Sequence, residues 1–192
     1  MKLKKIISCL FAAISIVCVS YFFIEKFTKI NYEKNQHIDD FVHKNWIKID
    51  NDNLNYYIYF PKKPLYKQSI LDIPNSTKKL ICDEYSYEDD INYSISSIDL
   101  PKKWTKWGHS LVFKVALKQI ASRGIVNHRK KTSHLQYPSM EYEIVDELQH
   151  TIIGKLVLID STIYKIEVNH NQTPTEDVRL VSKQFLDCFH PN

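Results

Sequence analysis

Apolar side chains recur along this chain with two periods, one of two residues and one of about three and a half. Leu54 to Phe60 is rich in Tyr and Ile and stops at Pro61-Lys62-Lys63-Pro64, which predicts a strand followed by a rigid extended turn. Leu80 to Tyr87 and Ile91 to Leu100 predict two more strands, with Glu88-Asp89-Asp90 as the hairpin loop between them. In the second of these, Ile91, Tyr93 and Ile95 alternate with Asn92, Ser94 and Ser96, as in a half-buried strand. The period then lengthens. Ser110 to Ser122 predicts a helix whose stripe of Leu111, Val112, Val115 and Ala116 is widened by Phe113, Leu117 and Ile120. Lys114 and Lys118 mark its wet side, Ser110 is placed to cap it, and Gly124 stands where a C-terminal glycine belongs.

Three or four further strands are predicted, at Ile125 to Leu135, Met140 to Val145, Ile152 to Ile159 and Ile163 to Val168. The third of these is apolar on both parities, so it should be a central strand covered on both faces. Asp160-Ser161 makes a tight turn after it. Pro174 and Thr175 open a last helix, with Thr175 as cap and Val178, Val181, Phe185 and Cys188 or Phe189 as its buried stripe. Short connections between adjacent strands imply antiparallel pairing. The expected architecture is α+β: a mostly antiparallel sheet with helices on both faces, an α/β/α sandwich spanning residues 46–190.

Ahead of this domain lies a different kind of segment. Lys2, Lys4 and Lys5 precede Ile6 to Ile24, a run with no charge, no Pro and no Gly, and Glu25-Lys26 ends it. As a helix the run would be about 28 Å long, close to the roughly 30 Å of a bilayer's hydrocarbon core. The lysines should stay cytoplasmic, which places residues 25–192 across an inner membrane as a single-pass protein. The apolar run is longer than that of a cleaved signal, and Cys18 after Ser15-Ile16-Val17 matches lipoprotein processing poorly. An anchor over residues 1–24 fits better than a cleaved signal that releases the domain to the periplasm. Residues 25–45 are polar with scattered apolar positions and read as a juxtamembrane linker.

This segment changes how charge and cysteine are read. The formal net charge is +4, but the three N-terminal lysines leave 23 basic against 22 acidic residues, a charge of +1, for residues 25–192. That balance gives no support to nucleic acid binding. The three glycines, Gly108, Gly124 and Gly154, are isolated, whereas a phosphate-cradling loop needs them clustered, so no nucleotide site is expected. Outside the apolar run only Cys82 and Cys188 remain. In an oxidising compartment they either pair or stay as two separately buried thiols.

Candidate chemistry is sparse. His109, His128, His134, His150, His170 and His190 form no His-x-His or His-Glu-x-x-His pair, and Glu88-Asp89-Asp90 lacks the spacing of a calcium loop. No Gly-x-Ser-x-Gly elbow occurs. Neither a cofactor nor a metal is expected. One stretch invites a binding role: Lys102-Lys103-Trp104-Thr105-Lys106-Trp107, two indoles interleaved with ammonium groups, able to contact a partner or a lipid headgroup layer. The plainer account is a loop whose tryptophans plug the end of the core while its lysines stay in water. His128-Arg129-Lys130-Lys131 reads as a solvent-exposed basic cluster.

The opening Trp46-Ile47-Lys48-Ile49 with Tyr57-Ile58-Tyr59-Phe60-Pro61-Lys62-Lys63-Pro64 resembles the start of small bacterial envelope domains of the PsbP-like fold. The ending is similar too: Gly154 to Ile159, a turn, Ile163 to Ile166, and a helix closing on Gln184 to Phe189. The resemblance implies the α/β/α fold and a non-enzymatic accessory or binding role, and it carries no functional residue. The expectation is an envelope protein with a non-catalytic binding domain, its partner another envelope protein. The alternatives are a structural subunit of a membrane complex and a hydrolase of envelope polymers.

Overall fold

In this computed structural model the described residues are 45–51, 55–72 and 79–192. The apolar run Ile6 to Ile24, with Cys9 and Cys18, and nearly all of the linker 25–45 lie outside them. No helix among the described residues is long and apolar enough to cross a membrane.

Seven strands form one antiparallel sheet: β3 (Leu65–Asp72), β4 (Lys79–Tyr87), β5 (Ile91–Asp99), β6 (Ile125–His134), β7 (Tyr137–Val145), β8 (Thr151–Ile159) and β9 (Thr162–His170). Their spatial order is β3-β4-β5-β9-β8-β7-β6. Three shorter strands, β1 (Ile47–Asn51), β2 (Tyr56–Phe60) and β10 (His190–Pro191), make a second sheet in the order β1-β2-β10. Among the described residues the α-helices that lie wholly within them are α1 (Lys102–Thr105), α2 (His109–Ile120) and α3 (Glu176–Asp187). The fold is α+β with a mostly antiparallel sheet, as the pattern predicts.

Strand registers divide the large sheet into two faces, because side chains alternate along each strand. Ile98 is opposite Ile163 and Tyr142 opposite Gly154, which puts these residues, with Leu156 and Leu158, on a first face. There they bury against Phe113 and Leu117 of α2. Tyr93, Ile95, Ile166, Val168 and His170 point to the second face. Tyr93 meets the Phe185 ring of α3 with centroids 5.1 Å apart, and His170 Nε2 lies 2.9 Å from Ser182 Oγ. Tyr56 and Phe60 of the small sheet pack against Tyr164 and Phe185 on the same side.

Several local expectations are corrected. Leu65–Asp72 is a strand that the sequence did not reveal, since it forms the sheet edge and most of its side chains stay exposed. Gly108, at φ 88°, stands at the N-cap of α2, and Ser110 Oγ instead accepts a hydrogen bond from Lys131 Nζ at 2.8 Å. Gly124 is extended rather than left-handed. It serves close packing, for a Cβ there would lie 2.4 Å from the Val145 carbonyl oxygen. Thr175 takes the N-cap position of α3 without a side-chain hydrogen bond.

Of the two readings left open for Cys82 and Cys188, the structure has the second, two separately buried thiols. Cys82 is opposite Ile98 and so belongs to the first face. Cys188 follows α3 on the second face, where its Sγ donates to the carbonyl of Phe185 at 3.1 Å. The sheet stands between them, and a disulfide needs Cα atoms within about 7 Å.

Candidate functional site

The Lys-Trp stretch is a built feature of the first face. The Leu100 N–H donates to the Ser161 carbonyl at 2.8 Å, which ties the end of β5 to the β8–β9 turn. Pro101 then starts α1, whose single turn is closed by Trp104 N–H on the Pro101 carbonyl at 2.7 Å. Trp107 N–H donates to the Trp104 carbonyl at 3.2 Å, and Gly108 N–H to that of Thr105 at 3.1 Å. The positive φ of Gly108 lets the chain reverse into α2 where an L side chain would be strained.

This arrangement hangs the two indoles over a groove of about 410 Å³. Trp104 and Trp107 form one end, Leu111 and Val115 of α2 one wall, and Leu71 and Leu80 the opposite wall. Ile98 and Ile163 supply part of the floor from the central strands. Leu71 and Leu80 are direct register partners across β3 and β4, so that wall exists only because the two strands pair. Among the described lining residues the polar groups are the Gln119 amide and the two indole N–H groups, and no side chain is charged. Trp107 and Val115 are each 61% exposed, and Leu71 and Leu111 are 40% and 43% exposed. Trp104 is half-buried, so it partly plugs the end of the core, while Trp107 does not.

Lys102, Lys103 and Lys106 are exposed beside these indoles and make no ion pair with the described residues. Of the five residues singled out from the sequence, Trp104 and Trp107 line the groove, whereas Lys102, Lys103 and Lys106 adjoin them along the chain and are not among its lining residues. The sequence missed Leu71 and Leu80. Their only signal was two apolar pairs, Ile70-Leu71 and Leu80-Ile81, on either side of Asn75-Ser76-Thr77.

A second, polar hollow of about 210 Å³ has another character. Lys155, 3% exposed on β8, pairs with Asp187 at the end of α3 and lies 3.6 Å from Glu141. Arg179 of α3 grips Glu143 of β7 with both terminal guanidinium nitrogens, Nη1 and Nη2, at 2.5 and 3.2 Å. That pairing raises the Arg179 pKa above its already high value. These charges satisfy one another and fasten α3 to the sheet. A lone Lys in an apolar strand was the sequence signal for them, since a buried ammonium requires a carboxylate. His134 and His170 are likewise structural: burial lowers the pKa of each. His134 Nε2 donates to the Phe189 carbonyl at 2.6 Å. Ser182 Oγ donates to the Val178 carbonyl and so accepts from His170. The basic cluster His128 to Lys131 is exposed on the edge strand β6, where cations discourage pairing with another strand. Among the described residues no three His, Cys, Asp or Glu side chains gather as a metal site would need.

With the fold and groove defined, comparison with known proteins places the architecture. The domain has the PsbP-like fold. The solution structure of cyanobacterial PsbP (CyanoP) from Synechocystis sp. matches it with a TM-score of 0.52 at 13% identity, covering 77% of this chain and 93% of that one. A crystal structure of a protein of unknown function from Pseudomonas aeruginosa matches at a TM-score of 0.40 and 10% identity, covering 77% of this chain and 97% of that one. No family model matches the sequence, and no curated protein does.

Proposed function

We propose that this chain is an exported, membrane-anchored protein of a bacterial envelope whose domain works by binding rather than catalysis. The observation that carries this reading is the groove beside Trp104 and Trp107: apolar, open to solvent and next in sequence to lysines that make no ion pair among the described residues. An exposed apolar hollow of this kind is what a binding module presents to its partner. The partner is another envelope protein. The lysines before Ile6 and the uncharged run to Ile24 support a single pass through the inner membrane, with the domain outside the cytoplasm. Release into the periplasm after cleavage is the alternative topology. The division of contacts, Phe113 and Leu117 to the first face and Phe185 and Ser182 to the second, supports a three-layer α/β/α sandwich with a helix on each side.

The test is double substitution of Trp104 and Trp107 by Ala in the full-length protein, followed by cross-linking in the native envelope. The expected result is loss of the cross-linked partner with little change in the urea midpoint of the domain. Unchanged cross-linking would overturn the groove as the binding surface. Loss of cooperative unfolding would assign both tryptophans to the core.

A further inference from the structure

We infer that the groove receives the hydrocarbon chain of a single-chain anionic amphiphile, a long-chain carboxylate being the simplest, with its head group held by Lys102, Lys103 and Lys106. The inference rests on the reading that this groove is part of the binding surface, and it adds a small ligand inside the groove to the protein partner proposed for the surface around it.

Hydrogen-bond accounting decides what can enter. Every residue of an extended peptide brings a backbone donor and acceptor, and each costs free energy if buried without a partner. The groove offers Gln119 and little else. Its walls are the side of α2, whose backbone groups bond within the helix, and the face of the β3–β4 pair, whose backbone groups, including the open edge of β3, lie in the plane of the sheet and not toward the groove. A methylene chain has no polar group to satisfy and gains from every apolar atom it covers. The volume of about 410 Å³ is that of a small-molecule site. A partner helix, roughly 10–12 Å across with side chains, could lay only a few of them into it.

Charge decides the head group. Three ammonium groups flank the indoles in sequence, no carboxylate is among the described residues that line the groove, and none of the three is paired with a described residue. The tryptophans suit such a boundary, with an apolar ring body for the chain and a polar N–H for the wet end. The helix α2 carries the matching signature. Leu111 and Val115 are surplus to its core contacts, which Val112, Phe113 and Leu117 make, and they line the groove instead.

The experiment uses the full chain in discs of zwitterionic phospholipid with a photoreactive sixteen-carbon carboxylate as probe. Cross-links are expected on Leu80 and within Trp104 to Gln119, removed by excess hexadecanoate. Competition by the fourteen-carbon acid should be about tenfold weaker, the effect of two fewer buried methylenes. Hexadecanol should compete at least tenfold more weakly than hexadecanoate if the lysines hold the head. Val115→Asp, at an exposed helical position, should abolish labelling of the groove while leaving the urea midpoint near that of the parent. Should that variant fail to fold, Trp107→Gln serves in its place.

Absence of groove labelling while the Trp104/Trp107 double substitution still loses its protein partner would overturn the inference and leave the binding surface standing. Failure of both would overturn both. Groove labelling by a photoreactive phospholipid of the disc, but not by the free carboxylate, would replace a monomeric ligand with docking on the bilayer.

Discussion

A Cβ built on Gly154 would lie 2.2 Å from the ring of Tyr142, its register partner on the next strand. The ring crosses over the glycine so that the Tyr142 hydroxyl can donate to Glu167 Oε1 at 2.7 Å, two strands away. Gly154→Ala is expected to cost about 1–3 kcal/mol, because Tyr142 is 1% exposed and has nowhere to retreat. Urea denaturation measures this. A distinctly smaller cost in a Tyr142→Leu background would tie the loss to the ring, and an equal cost would refute that explanation. Sequence made half of this legible. An isolated glycine inside an apolar strand marks a close approach. The approaching group sits on another strand, and only the register names it. Lys155 follows the same logic: its need for a carboxylate was readable, but Glu141 and Asp187 come from β7 and α3.

The helix α2 shows the limit at the scale of an element. Its apolar positions are too many for one stripe, which is plain from the sequence, but periodicity does not say which are buried. The sheet makes that choice by covering Phe113 and Leu117 and leaving Val115 61% exposed. Phe113→Ala is therefore expected to destabilise the domain by about 3–5 kcal/mol. Val115→Gln should stay within about 0.5 kcal/mol. Similar losses at both positions in thermal or chemical unfolding would show that the groove wall is part of the core. The missed strand β3 has the same origin. An edge strand buries too little to show a clean two-residue alternation, and it is stabilised by pairing with β4, a tertiary fact.

For the whole molecule, the two faces of the sheet are the organising feature, and the cysteines report on them. Cys82 belongs to the first face and Cys188 to the second, so no bond between them is expected in the folded domain under oxidising conditions. The thermal midpoint is expected to be the same with and without reductant. With Cys9 and Cys18 replaced by Ser, both remaining thiols should react once the chain is denatured in the absence of reductant. A midpoint that falls on reduction would overturn this assignment. The sequence by itself determined the class of fold, most of the strands and two of the helices, because the alternation of buried and exposed side chains is a local property of each element. It also singled out the tryptophan–lysine stretch, since that composition is local too. Only the tertiary structure decided that Leu71 and Leu80 oppose Leu111 and Val115 to form a groove, and that the two thiols stand apart. Those facts depend on which strands pair and which face each residue takes, and residues distant in the chain settle both.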